Sequence, residues 1–284
     1  MAQQVAVITG GNAGIGKEAA VALARAGWQV FITARDPGRG AAALEEIRSR
    51  STSTRVEVLP LDLADLASVR AFPAHLAGRT EQLDVLVNNA GLVLQDRRVT
   101  VDGFEQTFGV NHLGHFLLTD LLLESLRSNP SGGRVVVVSS HAHKMARRGL
   151  DFDDLQTAHH RYRGFSVYSR SKLANILFTR ELARRLDGAN ITVNSLHPGY
   201  VDSRFGRDGD TRRWFEAFAR IGSVMAITPE AGAQTSVYLA SSPDVAGITG
   251  EYFYKGRPAK VSSAALDDVA AGRLWSASEI LVGI

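Results

Sequence analysis

Seven short apolar runs, most of them without apolar/polar alternation, constrain the fold of this chain more than any other feature. They read VAVIT from residue 5, QVFIT from 29, VEVLPLD from 56, LDVLVNNAG from 83, RVVVVSS from 134, ITVNSLHPG from 191 and GEYFY from 250. A strand apolar on both faces must be covered on both, which is the condition of a parallel sheet between two helical layers. Helical patterns fall between the runs, near residues 14–26, 40–50, 65–77, 103–128, 164–186 and 229–240. The last opens with Thr228 and Pro229, a cap and a first helical residue. This order predicts an α/β protein with a single-domain Rossmann fold over residues 1–284: a doubly wound parallel sheet of about seven strands, with helices on both faces. No repeat or linker divides the chain.

Composition removes several classes of function. Thirty-two Lys and Arg against 29 Asp and Glu leave a charge of only +3. No basic run with interleaved aromatics stands out, so no nucleic-acid partner is expected. Cysteine is absent, and with it disulfides, thiolate ligands and thiol nucleophiles. The eight histidines include the pairs His112/His115, His141/His143 and His159/His160, none in an HExxH-type pattern, so no metal site is expected. MAQQVAVITGG leads into a strand without a charged leader, and no run reaches the roughly 18 apolar residues of a membrane span. A cytoplasmic protein without a membrane span is the expectation.

In a doubly wound sheet, ligands sit beyond the carboxyl ends of the strands. Here those ends read TGGNAGIG, TARD, LDLAD, NNAG, VSSHAH and HPGYVDS. In the first loop Gly10 permits a tight turn, Gly14 lets a pyrophosphate approach the backbone, and Gly16 lets helix and strand pack closely. With Asn12 and Ile15 they form the expected phosphate cradle of a dinucleotide. The second strand ends Arg35-Asp36, beside the adenosine ribose. A guanidinium there holds a 2′-phosphate through charge-assisted hydrogen bonds, whereas a carboxylate accepts from a free 2′-hydroxyl. Arg35, with help from Arg39, favours NADP. Asp36 on a bare ribose is the alternative and would give NAD.

YSRSK at 168–172 carries the chemistry. Residues four apart share a helix face, so Tyr168 and Lys172 point the same way. An ammonium about 4 Å from a phenol is worth ~4 kcal/mol at an effective dielectric of about 20. The expectation is therefore a tyrosine pKa lowered from about 10 towards about 7, where it exchanges protons at neutral pH. An ordinary amphipathic helix with a half-buried tyrosine and a solvated lysine is the alternative.

Taken together, TGGNAGIG, NNAG at 88–91, Asn111 in VNHLGHF, Ser140 in VVVVSS, YSRSK and HPG at 197–199 resemble the short-chain dehydrogenase/reductase superfamily, over residues 5 to about 203. The resemblance implies that Tyr168 donates or accepts the proton and that Lys172 binds the nicotinamide ribose and acidifies Tyr168. It implies that Ser140, the later of two serines, orients the substrate oxygen, Ser139 being structural, and that Asn111 holds a relay water. It further implies Asp62 and Leu63 near the adenine, Asn88, Ala90 and Gly91 along the cofactor, and Pro198, Gly199, Val201 and Ser203 around the nicotinamide. The spacer GLDFDDLQTAHHRYRGF and the terminal LWSASEIL are similar to the retinol dehydrogenase and WW-domain oxidoreductase branch. That branch is largely NADP(H)-linked and takes lipophilic alcohols and carbonyls.

The expected function is thus hydride transfer between NADP(H) and a small lipophilic alcohol or carbonyl. Residues 202–227, with Trp214, Phe218, Ile221 and Met225 at helical spacing, form a candidate substrate-binding segment, and His141, His143 and Tyr200 are candidate pocket residues. Relatives pair through helices equivalent to 103–128 and 164–186, which implies a homodimer or homotetramer. A catalytically idle NAD(P)-binding regulator is the rival reading, though it would be expected to lack Tyr168 or Lys172. A sugar-nucleotide epimerase would be expected to carry a larger C-terminal domain.

Overall fold

A computed structural model describes residues 3–201 and 227–284. The strands are β1 (Val5–Ile8), β2 (Gln29–Ala34), β3 (Val56–Pro60), β4 (Val85–Asn88), β5 (Gly133–Val138), β6 (Ile191–His197), β7 (Tyr252–Tyr254) and β8 (Arg257–Pro258). They form one sheet in the order β3-β2-β1-β4-β5-β6-β7-β8. Pairing from β3 to β7 is parallel throughout, with Val7 of β1 opposite Phe31 of β2 and Leu86 of β4. The order reverses beside β1, so β1 and β4 flank the crevice where such sheets bind ligands.

The main helices are α1 (Gly14–Arg25), α2 (Pro37–Ser51), α3 (Leu66–Ala77), the short α4 (Gln106–Phe108), α5 (Gly114–Arg127), α6 (Gly164–Arg185), α7 (Pro229–Ser241) and α8 (Asp268–Val282). Period-two side-chain direction explains why the strands are apolar on both faces. Val5, Val7 and Phe31 pack into one core with residues of α3, α5, α6 and α8. Ala6, Ile8, Val30 and Ile32 pack into a second, with residues of α1, α2 and α7.

Three features differ from the sequence expectation. Residues 103–128 do not form one helix: Gly109–Leu113 is a π-helical turn between α4 and α5. Gly114 there packs so closely on Leu63 that a Cβ would lie 2.6 Å from the Leu63 carbonyl oxygen. The sheet also gains β8, an antiparallel edge strand joined to β7 through Lys255 and Gly256, both at positive φ. Finally, α8 was not anticipated, although Asp267 caps it through the Ala270 amide at 2.9 Å and Gly283, at φ +72, ends it. Its Trp275 packs edge-on to Phe116 of α5 and stacks on Phe178 of α6.

The start of α6 is fixed by backbone contact. A Cβ on Gly164 would overlap the Leu94 carbonyl and come within 3.1 Å of the Gln95 Cα. Gly164→Ala should therefore destabilise the fold by about 1–3 kcal/mol. Urea unfolding reads this as a lower midpoint at unchanged slope; an unchanged midpoint would show that the loop yields freely.

Candidate active site

The glycine loop and the segment after β4 are pressed together. Gly10 and Gly14 lie at φ +64 and +52, where a side chain is strained. A Cβ on Gly10 would sit 3.0 Å from Ala90, and one on Gly16 would overlap the Asn89 amide. Thr9 locks the contact. Its Oγ1 accepts from the Asn89 and Ala90 amides at 2.8 and 3.0 Å, and its carbonyl accepts from Asn89 Nδ2 at 2.8 Å. Asn88 faces the other way and donates to Thr119 of α5 at 2.8 Å. Asn12 is half-buried in the loop, and the α1 cap, Ala13, has no side-chain oxygen to satisfy the first amides of the helix. Those amides, with the helix dipole, suit an anionic pyrophosphate. The cradle fits a dinucleotide.

At the adenosine end, Asp36 caps α2: its Oδ1 accepts from the Arg39 amide at 2.7 Å. Arg35 is 68% exposed, with Nε 4.0 Å from Asp62 Oδ2. Asp62 Oδ1 in turn accepts from the Ala64 amide at 2.9 Å, and Leu63 is buried beside Gly114. At the other end, Ile15 and Val201 meet over Gly232, whose Cβ would lie 3.3 and 2.7 Å from them. Gly199 has φ +101 and lies beneath Ile227, and Pro198 is half-buried beside it. Ser203 and all but the last residue of the 202–227 segment lie outside the described residues.

Tyr168, Ser140, Lys172 and Asn111 converge at the carboxyl end of β5. Ser140 hydrogen-bonds the Tyr168 hydroxyl, and its Oγ also accepts from the Ala142 amide at 3.1 Å. Ser139 points away from this cluster and donates to the Lys172 carbonyl at 2.7 Å. Lys172 is buried; its Nζ donates to the Val138 carbonyl at 3.0 Å and lies 5.7 Å from the Tyr168 ring centroid. Gly91 abuts both Lys172 Nζ and Asn111 Oδ1, at 3.5 and 3.2 Å from where its Cβ would be. The Asn111 amide group bonds both ways with the Leu92 backbone at 2.8 and 2.9 Å and donates to Ser171 Oγ at 3.0 Å. Asn111 sits on the π turn, a distortion often found at functional sites.

The expected acidification of Tyr168 is not what this geometry produces. Burial raises the phenol to about 12, opposed by the Ser140 hydrogen bond. Burial likewise lowers the Lys172 ammonium to about 8. Helical spacing places the ammonium over the ring, and loss of water outweighs attraction for both groups. The phenol is therefore protonated at neutral pH.

Of the candidate pocket residues, His141 and Tyr200 are exposed, but His143 is wholly buried behind Ser140 and lines no pocket. Sequence reasoning missed two other histidines. His197 Nδ1 faces the His141 and Gly199 amides at 3.3 and 3.4 Å, accepting from both, and burial lowers the ring to about 4. His115 bridges Thr9 Oγ1 at 2.9 Å and the Asn111 carbonyl at 3.3 Å, tying the glycine loop to the π turn. The four-residue step from Asn111 to His115 was the available signal.

The family model described as short chain dehydrogenase matches residues 4–151, and one described as Enoyl-(Acyl carrier protein) reductase matches residues 154–255. Retinol dehydrogenase 14 of Mus musculus is 45% identical over 98% of this chain and 85% of its own length. Retinol dehydrogenase 13 of Homo sapiens is 40% identical over 98% and 84%. Among solved structures, an uncharacterized protein from Mycobacterium Paratuberculosis superposes with a TM-score of 0.78 at 37% identity, covering 99% of this chain and 94% of that one. The Pseudomonas aeruginosa RhlG/NADP active-site complex gives 0.70 at 28%, covering 89% and 94%. The chain belongs to the short-chain dehydrogenase/reductase family. Within that family it is an NAD(P)-dependent alcohol/carbonyl oxidoreductase, homologous to the retinol dehydrogenases. Among the described residues, no helix is long and apolar enough to cross a membrane.

The buried ammonium makes stability depend on pH. Between its folded value of about 8 and the ordinary 10.5, the unfolded chain binds more protons, so stability rises with pH across that window. Urea unfolding at about pH 7.5 and about pH 9.5 should show the wild type gaining on Lys172→Met at the higher pH. A constant gap between the two proteins would contradict a lowered Lys172.

Proposed function

We propose that this enzyme uses NADP(H) to interconvert a lipophilic alcohol with its aldehyde or ketone, with Tyr168 as general acid and base. One observation carries the reading: a protonated phenol, hydrogen-bonded to Ser140, beside a buried ammonium that abuts Gly91. When bound, the nicotinamide would supply or accept the hydride. Gly10, Asn12, Gly14, Ile15 and Gly16 would hold the pyrophosphate. Ala90 and Gly91, just beyond β4, would follow the cofactor, with Asn88 anchoring that segment to Thr119, and Pro198, Gly199, Val201 and Ser203 would frame its ring.

In carbonyl reduction the Ser140 hydroxyl orients the substrate oxygen, and Tyr168 gives its proton to the oxyanion that develops there. The phenol as it stands needs no prior ionisation for that direction. Lys172 would offer its ammonium to the ribose hydroxyls of a bound cofactor from beside Gly91. The Asn111 amide is engaged with Leu92 and Ser171 and its main-chain carbonyl lies 3.3 Å from His115 Nδ1, so a relay water at Asn111 would share one of these acceptors.

Engagement of Asp36 as a helix cap supports NADP over NAD, because it leaves the exposed Arg35 as the group facing a 2′-phosphate. The NADP complex and the Actinorhodin Polyketide Ketoreductase with NADPH are relatives of the same fold. The retinol dehydrogenases support a lipophilic substrate.

Tyr168→Phe should lower kcat for all-trans-retinal reduction by roughly 10²- to 10⁴-fold and leave NADPH binding intact. Retained turnover would remove Tyr168 from the chemistry. Arg35→Ala should weaken NADPH roughly 10- to 100-fold and leave NADH unchanged. Titration calorimetry with both cofactors decides this, and equal losses for the two would return the ribose to Asp36.

A further inference from the structure

Ser140 is held from behind. It precedes the single 3₁₀ turn His141–Met145, and its carbonyl lies 2.7 Å from His143 Nδ1. On the far side of the ring, His143 Nε2 lies 3.2 Å from the Ser262 amide nitrogen. A backbone N–H can only donate, so Nε2 must accept and the ring proton must sit on Nδ1, from which it donates to Ser140. The neutral ring thus has one tautomer that satisfies both neighbours. Burial lowers the His143 pKa, and the nearby Lys144 and His141 add to the effect, so the neutral form persists at physiological pH. The ring is 0% exposed and packs edge-on against Tyr252 at 5.2 Å between centroids.

A parallel tie reaches the other catalytic loop. His112, next to Asn111 on the π turn, lies 2.8 Å from Ser278 Oγ of α8. That hydroxyl donates to the Leu274 carbonyl at 2.8 Å, so it accepts from His112 Nε2–H. Burial keeps His112 neutral, lowering it to about 3. Each of two residues assigned to the chemistry, Ser140 and Asn111, therefore has a nearby buried neutral histidine bonded to the stretch of chain that follows β7.

We propose that His143 is a positioning residue for Ser140, and that the C-terminal stretch from Ser262 through α8 braces the catalytic loops through His143 and His112. The proposal rests on the assignment of Ser140 and Tyr168 to carbonyl reduction. Without the ring donor, the Ser140 carbonyl keeps the His143 backbone amide at 3.1 Å but loses its tie through the ring to Ser262, so the turn that carries the Oγ shifts relative to the substrate oxygen. A misplacement of about 1 Å at a reacting centre can cost on the order of 100-fold.

Steady-state reduction of all-trans-retinal by NADPH, with fluorescence titration of NADPH, tests the proposal in the full-length protein. His143→Phe keeps the ring volume but removes both hydrogen bonds, and should lower kcat roughly 10- to 100-fold with NADPH affinity unchanged. His143→Asn places an amide donor near the Nδ1 position and should recover most of that loss. Ser278→Ala should lower kcat by a smaller factor, again without weakening NADPH. A His143→Phe enzyme within threefold of wild-type kcat would overturn the proposal, as would an Asn variant no better than Phe or a parallel loss of NADPH binding. Tyr168→Phe run alongside separates the two readings: if it stays active, the assignment of the chemistry fails first. Should His143→Phe not fold, ¹⁵N spectra of the wild-type imidazoles decide. They should show His143 as the neutral Nδ1–H tautomer at about pH 7.5. An Nε2–H tautomer, or a charged ring at that pH, would sink the proposal.

Discussion

An ammonium taken out of water is the costliest group in this site, and much of the surrounding geometry follows from how it is held. Lys172 is buried and bonded to the Val138 carbonyl, the last of β5, which has no further strand residue to pair with. That contact draws α6 onto the end of the sheet and places Tyr168 one turn earlier, within reach of Ser140. Ser139 adds to the same seam by donating to the Lys172 carbonyl. Gly91 completes the arrangement, because any side chain there would press on Lys172 and Asn111.

The same burial explains why proximity did not produce an acidic phenol. Opposite charges attract more strongly in a low-dielectric interior, but each also loses its hydration there. For Tyr168 and Lys172 the second effect prevails, and both are driven towards their neutral forms. A neutral phenol is the form that can give a proton away. The alcohol-oxidising direction would call for the ionised form, which further positive charge near the ring would favour.

Much of the fold was legible in the sequence because both of its signals are local. Uninterrupted runs such as VAVIT and RVVVVSS declare strands buried on both faces, and Thr228-Pro229 declares a helix start. Strand ends then marked the glycine loop and the VSSHAH segment, and the resemblance to the family supplied the roles of Ser140 and Tyr168. The π turn at Gly109–Leu113 was hidden, because the helical pattern continues unbroken in the sequence, while the close contact of Gly114 with Leu63 beside it is tertiary. The two-residue β8 is shorter than any period. In α8, by contrast, Asp267, Gly283 and the apolar spacing of Leu274, Trp275 and Val282 were readable, and the tail was passed over. Desolvation was the deeper omission: spacing shows which way two side chains point, but not how much water they lose.

Asp36 shows how a residue's local duty can decide a distant specificity. In sequence it competes with Arg35 for the adenosine ribose, and chemistry alone allows either. In the fold its carboxylate is already bonded to the Arg39 amide, and Pro37 behind it fixes the start of α2. Leaving that amide would expose an uncapped helix end at a cost of about 1 kcal/mol, before any contact with a ribose is gained. Arg35 has no such obligation to a helix: it is largely exposed, and among the described residues its ion-pair contact is a long one to Asp62. Which side chain the helix has already claimed therefore bears on the adenosine site as much as which one stands nearer the ligand.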